Sequence, residues 1–429
     1  MLFSRLCQTP PSFRYIGQLN NPFLKAVSAQ TRNYGQLVSR RTNIYGSPNL
    51  ICRTSLSAAK QVIQKRYALS NMAEGVSARA QKIVGWWLMG CAGMCFGAVV
   101  LGGVTRLTES GLSMVDWKLF KDMRPPRSEQ EWIEEFERYK TFPEYSHILS
   151  SGRDFTLSDF KFIFFMEFTH RMWGRITGCV FLLPAPYFMY KGWITKAMRP
   201  RLALYTALLG FQGFMGWYMV KSGLEEKPGV NDVPRVSQYR LALHLSTAVA
   251  LYSLFLWAGM SHLAPNQLNW QKVANISKLN KGAHTITSMI FFTLVSGAFV
   301  AGLDAGLVYN TWPKMADRWI PTDLLAYSPT WSNFFENPTT VQFDHRIVGK
   351  LTVAAVCAFW WVCRNAPLPP SVKLASNCLL AMSLTQMTLG IFTLLTQVHT
   401  HLAATHQAGA ITLLSISLWL MHILKRIPK

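Results

Sequence analysis

The sequence predicts an all-α integral membrane protein: eight transmembrane helices arranged as two tandem four-helix bundles related by a parallel internal repeat. Three observations carry that prediction. Eight apolar stretches are each long enough to cross a bilayer core, which takes about 20 residues. Basic residues collect on alternate flanks of those stretches, and the motifs of the first four recur in the last four. Only 15% of the 429 residues are charged, against about 25% in a soluble domain. The 15 Trp and 26 Phe exclude a disordered, solvating chain. A formal net charge of +22 would suit nucleic acid if the basic residues formed one patch. They flank apolar stretches instead, so no nucleic-acid partner is expected.

Residues 1–67 stand apart. They hold ten basic residues, from Arg5 to Arg66, many Ser, Thr, Asn and Gln, and no acid; the first acid in the chain is Glu74. This is the composition of a mitochondrial or plastid transit peptide, and the short apolar core of a secretory signal is missing. Arg66-Tyr67-Ala68-Leu69-Ser70 resembles a processing site with arginine at minus two, which places the cut after Tyr67. A basic tail that stays attached is the alternative reading.

The eight stretches lie at about 83–104, 160–190, 200–220, 238–262, 282–302, 341–363, 372–397 and 402–424. The second is overlong and contains Pro184 and Pro186, so a kink or an end is expected before Lys191. One set of flanks receives Arg79 and Lys82, Lys191 to Arg201, Lys272 to Lys281, Arg364 and Lys373, and Lys425 to Lys429. After Glu74 no acid falls on that side. The positive-inside rule then puts both mature termini inside, which for an imported protein is the matrix side of the mitochondrial inner membrane. In the first outer loop, Ser128-Glu129-Gln130-Glu131 has the pattern of a capping box. Trp132, Ile133, Phe136 and Tyr139 follow at helical spacing, predicting a short amphipathic helix of structural role on the outer membrane surface.

The two halves repeat. Gly102, Gly111, Leu112 and Trp117 align with Gly297, Gly306, Leu307 and Trp312. Glu167-Phe-Thr-His-Arg-Met-Trp-Gly-Arg-Ile-Thr177 aligns with Gln342-Phe-Asp-His-Arg-Ile-Val-Gly-Lys-Leu-Thr352. Gln212 and Gly216 align with Gln386 and Gly390, and Leu243-His244 with Thr405-His406. Each copy contains four spans, so both share one orientation, the parallel-repeat case. Residues 68–262 are read as the N-terminal bundle and 263–429 as the C-terminal one.

The repeat pairs His170 with His345 and His244 with His406, all at the outer ends of even-numbered spans. Ionisable side chains inside a membrane are costly and mark function by default. Two imidazoles from different helices can clamp a planar metal macrocycle from both faces. Zinc would favour shorter spacing with Cys or acid among the ligands. Haem therefore fits, and with no Cys-x-x-Cys-His it would lack thioether links. Arg171 and Arg346, each beside a histidine, are candidate propionate contacts; outward snorkelling is the other reading. Glu167 shares a helix face with His170 and Arg171, and its replacement by Gln342 in the second copy suggests that the halves differ in role. Gly174 and Gly178 form a small-xxx-small step that allows close approach of a helix or a flat ligand, plain packing being the simpler account. His262, His284 and His422 sit near inner ends without repeat partners. His399 and His401 lie close to His406, and His147 is in an outer loop. No cysteine falls in an outer loop, so no disulfide is expected there.

The stretch around His170, its second copy around His345, Gln212-x-x-x-Gly216, Leu402-Ala-Ala-Thr-His-Gln407 and the opening Leu101-Gly-Gly-Val-Thr-Arg-Leu-Thr-Glu-Ser-Gly-Leu-Ser113 resemble heme A synthase from about residue 80 to the C-terminus. The resemblance implies oxidation of a methyl group of heme O to a formyl group, giving heme A for cytochrome c oxidase assembly. It implies that His170 and His244 hold the substrate haem, that His345 and His406 hold a resident heme b, and that Glu167 takes part in the chemistry. It also implies a matrix ferredoxin as electron donor, with heme O synthase and oxidase assembly factors as further candidate partners. Membrane lipid surrounds the chain, and a homo-oligomer is a candidate state. The absence of an outer-loop cysteine pair matches the mitochondrial branch. Two other classes share some features. A di-haem b-type electron carrier or quinone oxidoreductase accounts for four histidines but not for Glu167 against Gln342, and a transporter would be colourless. Whether both substrate-half histidines bind iron at once, and where the inserted oxygen originates, stays open in the residues alone.

Overall fold

A computed structural model describes Met72 and residues 75–114, 124–150, 152, 154–224, 236–264 and 268–428. The transit-peptide reading of residues 1–67 lies outside them, as does Trp117. Among the described residues the regular structure is helical. Six helices are long and apolar enough to cross a membrane: α1 (Ala78–Leu107), α7 (Gln238–Leu263), α8 (Ile276–Gly302), α10 (Pro338–Asn365), α11 (Pro370–Leu395) and α12 (Thr400–Lys425). The second and third predicted stretches also form helices of 26 residues, α4 (Leu157–Leu182) and α6 (Arg199–Leu224). Neither is among the six. α4 interrupts its apolar run with Asp159, Lys161, Glu167, Arg171 and Arg175, and three of these belong to the candidate site or its motif.

The proline-containing end behaves as its chemistry requires. Pro184 has no N–H to continue the ladder, so α4 stops at Leu182 and a separate turn, α5 (Pro184–Tyr190), begins with proline at its first position. In the outer loop Ser128 caps α2 (Glu129–Tyr139), accepting the Glu131 N–H at 3.1 Å. Glu131 returns the contact one residue early, to the Arg127 N–H at 2.8 Å. Trp132, Phe136 and Tyr139 are buried, with the Trp132 and Phe164 rings edge-to-face at 5.1 Å and Phe136 stacked on Phe160 at 5.2 Å. The apolar face of α2 is therefore covered by α4. Ile133 does not join it and stays exposed. A short helix α3 (Pro143–Ser150) follows, and a one-turn helix α9 (Asn333–Glu336) precedes α10.

In the packing, α1 runs along α7 and α4, and α6 along α7. α8 lies against α10 and α12, while α11 lies against α12 and α10. Contacts of α7 with α8 and of α12 with α1 and α7 join the two sets, around a core that includes Leu88, Phe255, Ile411 and Leu414. At one end the join is polar: Arg106 at the end of α1 pairs with Asp304 after α8 at 2.8 Å.

Candidate functional site

His170 on α4 lies within electrostatic reach of His244 on α7, and His345 on α10 within that of His406 on α12. The helix packing thus brings the two histidines of each half together. All four histidines are half-buried. Glycines on neighbouring helices let the rings come close. A Cβ at Gly102 would lie 2.9 Å from His170 Cε1, at Gly297 3.3 Å from His345 Cε1, and at Gly390 2.9 Å from His406 Cε1. Any larger residue at these positions would push the ring. One turn beyond the first histidine of each pair, a Cβ at Gly174 or Gly349 would meet nothing within 4 Å. The space beside each of those histidines suits a flat ligand.

The ring nitrogens differ in their hydrogen bonds. Ser296 Oγ lies 2.7 Å from both the Thr293 carbonyl and His345 Nδ1. With the hydroxyl proton on the carbonyl, the oxygen accepts from Nδ1–H and the Nε2 lone pair is left for a metal, the arrangement typical of ligating histidines. On α11 the Gln386 amide reaches both the His406 carbonyl, at 2.8 Å, and His406 Nδ1, at 3.1 Å. The aligned Gln212 donates to the His244 carbonyl at 3.3 Å and to Thr247 Oγ1. In contrast, His170 Nδ1 and His244 Nδ1 are buried without a hydrogen bond. The Ala98 carbonyl lies near His170 but without the geometry for one.

Glu167 is 3% exposed and Arg171 9%. Glu167 Oε1 accepts from Arg171 Nη2, one helical turn on, while Oε2 accepts from the Ser113 hydroxyl and the Met114 N–H, each at 2.7 Å. Arg171 also donates to the Met114 carbonyl at 2.8 Å. At the aligned positions Arg346 donates to Gln342 Oε1 at 3.0 Å and to the Tyr309 carbonyl at 2.9 Å. The Gln342 amide donates to the Ala305 and Tyr309 carbonyls at 2.7 and 3.2 Å. The two networks share a frame but differ in sign: the carboxylate accepts where the amide donates. Arg346 Nε is buried without a partner. With Lys350, Trp319 and Phe343 among its walls, Arg346 lines a cavity of about 280 Å³.

The remaining histidines lie apart from these pairs. His262 Nδ1 bonds the Ala258 carbonyl at 2.8 Å, and His422 packs edge-on to Trp257 at 5.3 Å. His399 and His401 have exposed rings 5.5 Å apart at the start of α12. Ser113 and Ser296 are the two site residues that sequence reasoning missed. Ser296 adjoins Gly297, one of the aligned glycines, and that adjacency was the available signal.

The model of the COX15-CtaA family, described as cytochrome oxidase assembly protein, matches residues 85–418. The chain belongs to the COX15-CtaA family. Among similar relatives, Heme A synthase COX15 of Bos taurus is 54% identical over 353 residues, covering 82% of this chain and 84% of the relative. Heme A synthase COX15 of Saccharomyces cerevisiae is 39% identical over 407 residues, covering 88% and 83%. The bacterial Heme A synthase of Nitrosospira multiformis is 42% identical over 346 residues, covering 81% and 94%. The COX15-CtaA match includes α1, α4, α7, α8, α10 and the histidine-bearing part of α12, so all four histidines fall inside it.

Proposed function

We propose that this chain is a heme A synthase whose two halves have divided the work. Residues 68–262 take heme O between His170 and His244 and present its methyl group for oxidation to formyl. Residues 263–429 keep a heme b between His345 and His406. The observation that carries the division is the unequal support of the rings: His345 Nδ1 and His406 Nδ1 each have a hydrogen-bond partner, Ser296 and Gln386, whereas His170 and His244 leave Nδ1 unbonded. A resident cofactor gains from fixed ligands, while a substrate that must come and go tolerates looser ones.

Bound haem supplies the redox chemistry of the four-electron change from methyl to aldehyde. The protein's part is positioning and charge. Both Glu167 oxygens already accept hydrogen bonds, so we assign Glu167 the role of stabilising positive charge developing near the methyl group, in preference to taking up a proton. Arg171, engaged by Glu167 and Met114, positions that carboxylate. Arg346, with its unpartnered Nε beside a cavity, is the better placed of the two arginines to meet a propionate.

We read α4 and α6 as the two further spans of an eight-span, tandemly repeated frame. Their 26-residue lengths, about 39 Å at the helical rise, support this, as do the matching arginine and glutamine bonds of the two halves. The basic ends support an inner-membrane orientation with both termini in the matrix. A matrix ferredoxin, heme O synthase, oxidase assembly factors and self-association belong to the same reading. The direct test is expression of residues 68–429, extraction of bound haem and chromatography. Heme b together with heme O or heme A is expected. Heme b alone, with no conversion of added heme O, would favour the di-haem electron carrier.

A further inference from the structure

The four helices α8, α10, α11 and α12 close on one another, with α11 packed along both α10 and α12. The corresponding set in the N-terminal half is open on one side: α6 packs along α7 but barely touches α4. Where they meet, a Cβ at Gly178 on α4 would lie 3.9 Å from Leu209 on α6. One turn nearer the outer ends, a Cβ at Gly174 or at Gly213 would find nothing within 4 Å. The two helices touch at Gly178 and Leu209 and leave Gly174 and Gly213 uncovered.

The uncovered stretch adjoins the histidine pair. Gly174 lies one turn from His170, and Gly213 adjoins Gln212, whose amide holds the His244 carbonyl. On the alignment of Gln212 and Gly216 with Gln386 and Gly390, the residue in Gly213's place in the closed half is Met387. Beside the opening α6 carries Phe214 and Tyr218, 53% and 40% exposed, with stacked rings 6.1 Å apart. Gly174 and Gly213 both lie inside regular helices, so their backbone polar groups are satisfied and an apolar occupant meets no unpaired donor or acceptor.

We propose that this opening is a lateral entrance from the bilayer to the substrate site, and that the isoprenoid tail of heme O lies between α4 and α6 over Gly174 and Gly213. The inference rests on the heme O reading above. A tailed porphyrin partitions into the hydrocarbon phase, and a slot bounded by glycine and aromatic side chains admits a branched apolar chain. The half assigned to the resident haem needs no such exchange, and there α11 packs along α10.

The test is a filled slot in the full-length holoprotein. Gly213→Phe is expected to raise the KM for heme O about tenfold or more while heme b content stays that of the unmodified protein. Met387→Phe, the same change in the closed half, should leave that KM unaltered. Binding of tail-less iron protoporphyrin IX to the N-terminal half should weaken far less than binding of heme O. An unchanged KM in Gly213→Phe with full heme b overturns the proposal. So does equal loss of both porphyrins, which would mean a distorted haem pocket and no separate tail slot. Gly213→Leu carries the same test if the phenylalanine variant does not accumulate. Unmodified protein in the same assay keeps the two readings apart. If it makes no heme A, the function is wrong, and the ratio of the two porphyrin affinities alone decides the entrance.

Discussion

The Ser113 hydroxyl donates to Glu167 Oε2 at 2.7 Å, and the second half has no equivalent bond because the aligned residues there are Val308 and Gln342. Donor and carboxylate are present together in one half and absent together from the other. Around them the frame is constant, with an arginine one turn along α4 or α10 bonded to the carbonyl of Met114 or Tyr309. The asymmetry is confined to a charge and the group that serves it.

That confinement predicts the behaviour of Glu167→Gln. Gln342 beside Arg346 shows that an amide can occupy this place, so the variant should fold. A single amide oxygen cannot accept from Arg171 and also from Ser113 and Met114, and leaving one buried donor unmet costs about 1–3 kcal/mol. Melting a few degrees lower, unchanged heme b content and heme A formation reduced about a hundredfold or more are expected. Calorimetry and haem chromatography report these separately. Normal heme A output would remove Glu167 from the chemistry.

Ser296→Ala should act on the other haem. It removes the acceptor for His345 Nδ1–H and with it the preference for the ligating tautomer. Loss of such a supporting partner lowers metal-site affinity by about 10–100-fold. Heme b should therefore dissociate on dilution or competition with apomyoglobin. Ser296→Thr, which keeps the hydroxyl, should hold it. Retention of heme b by the alanine variant would mean that Ser296 does not set the tautomer.

The four histidines stood out in the sequence because they fall at aligned positions of two similar motifs, and an ionisable residue in an apolar stretch is conspicuous. Helix limits were legible where apolar runs end in charge or proline, as at Pro184 and at Gln238–Leu263. α8 begins earlier than its apolar run, at Ile276, because Lys278 and Lys281 belong to the helix although they precede the apolar stretch. Ser113 and Ser296 were not singled out, since a lone serine in or near an apolar span has no periodicity to mark it and only a neighbouring motif residue points to it. The second outer loop was opaque for a related reason. Its order comes from single side chains reaching distant carbonyls, Asn333 to Tyr327 at 2.8 Å and Asn337 to Asp323 at 2.9 Å. Nor could the opening between α4 and α6 be read, because Gly213 signals close packing and open space equally well.

Glu144 on α3, in the first outer loop, gives a pH dependence. Burial pushes its carboxyl up to about 8, and the charges of Glu167 and Glu109 add to this against the Tyr139 hydrogen bond. In the unfolded chain it ionises near its ordinary value of about 4.3. Between these limits the folded state holds a proton that the unfolded state has released. The stabilisation is therefore complete below the unfolded value and lost as pH rises through about 8. Thermal unfolding between pH 6 and 9 should show stability falling with pH, and Glu144→Gln should flatten that fall. Parallel profiles for the two proteins would contradict it.

The glycines facing the histidines allow the two haem assignments to be separated without touching a ligand. A Cβ at Gly390 would stand 2.9 Å from His406 Cε1, closer than such atoms can approach, so Gly390→Ala must shift the ring; strain of this kind costs about 1–3 kcal/mol in a packed interior. Heme b should be depleted, and heme A formation should fall with it. Gly102→Ala imposes the same 2.9 Å conflict on His170, yet it should leave heme b in place and reduce only heme O binding and conversion. Gly297→Ala, at 3.3 Å from His345 Cε1, asks for a smaller displacement and should deplete heme b less than Gly390→Ala. Haem extraction from the three variants gives the order directly. Depletion of heme b by Gly102→Ala, or its full retention in Gly390→Ala, would reverse the assignment of the halves, since each glycine touches the histidine of one half alone.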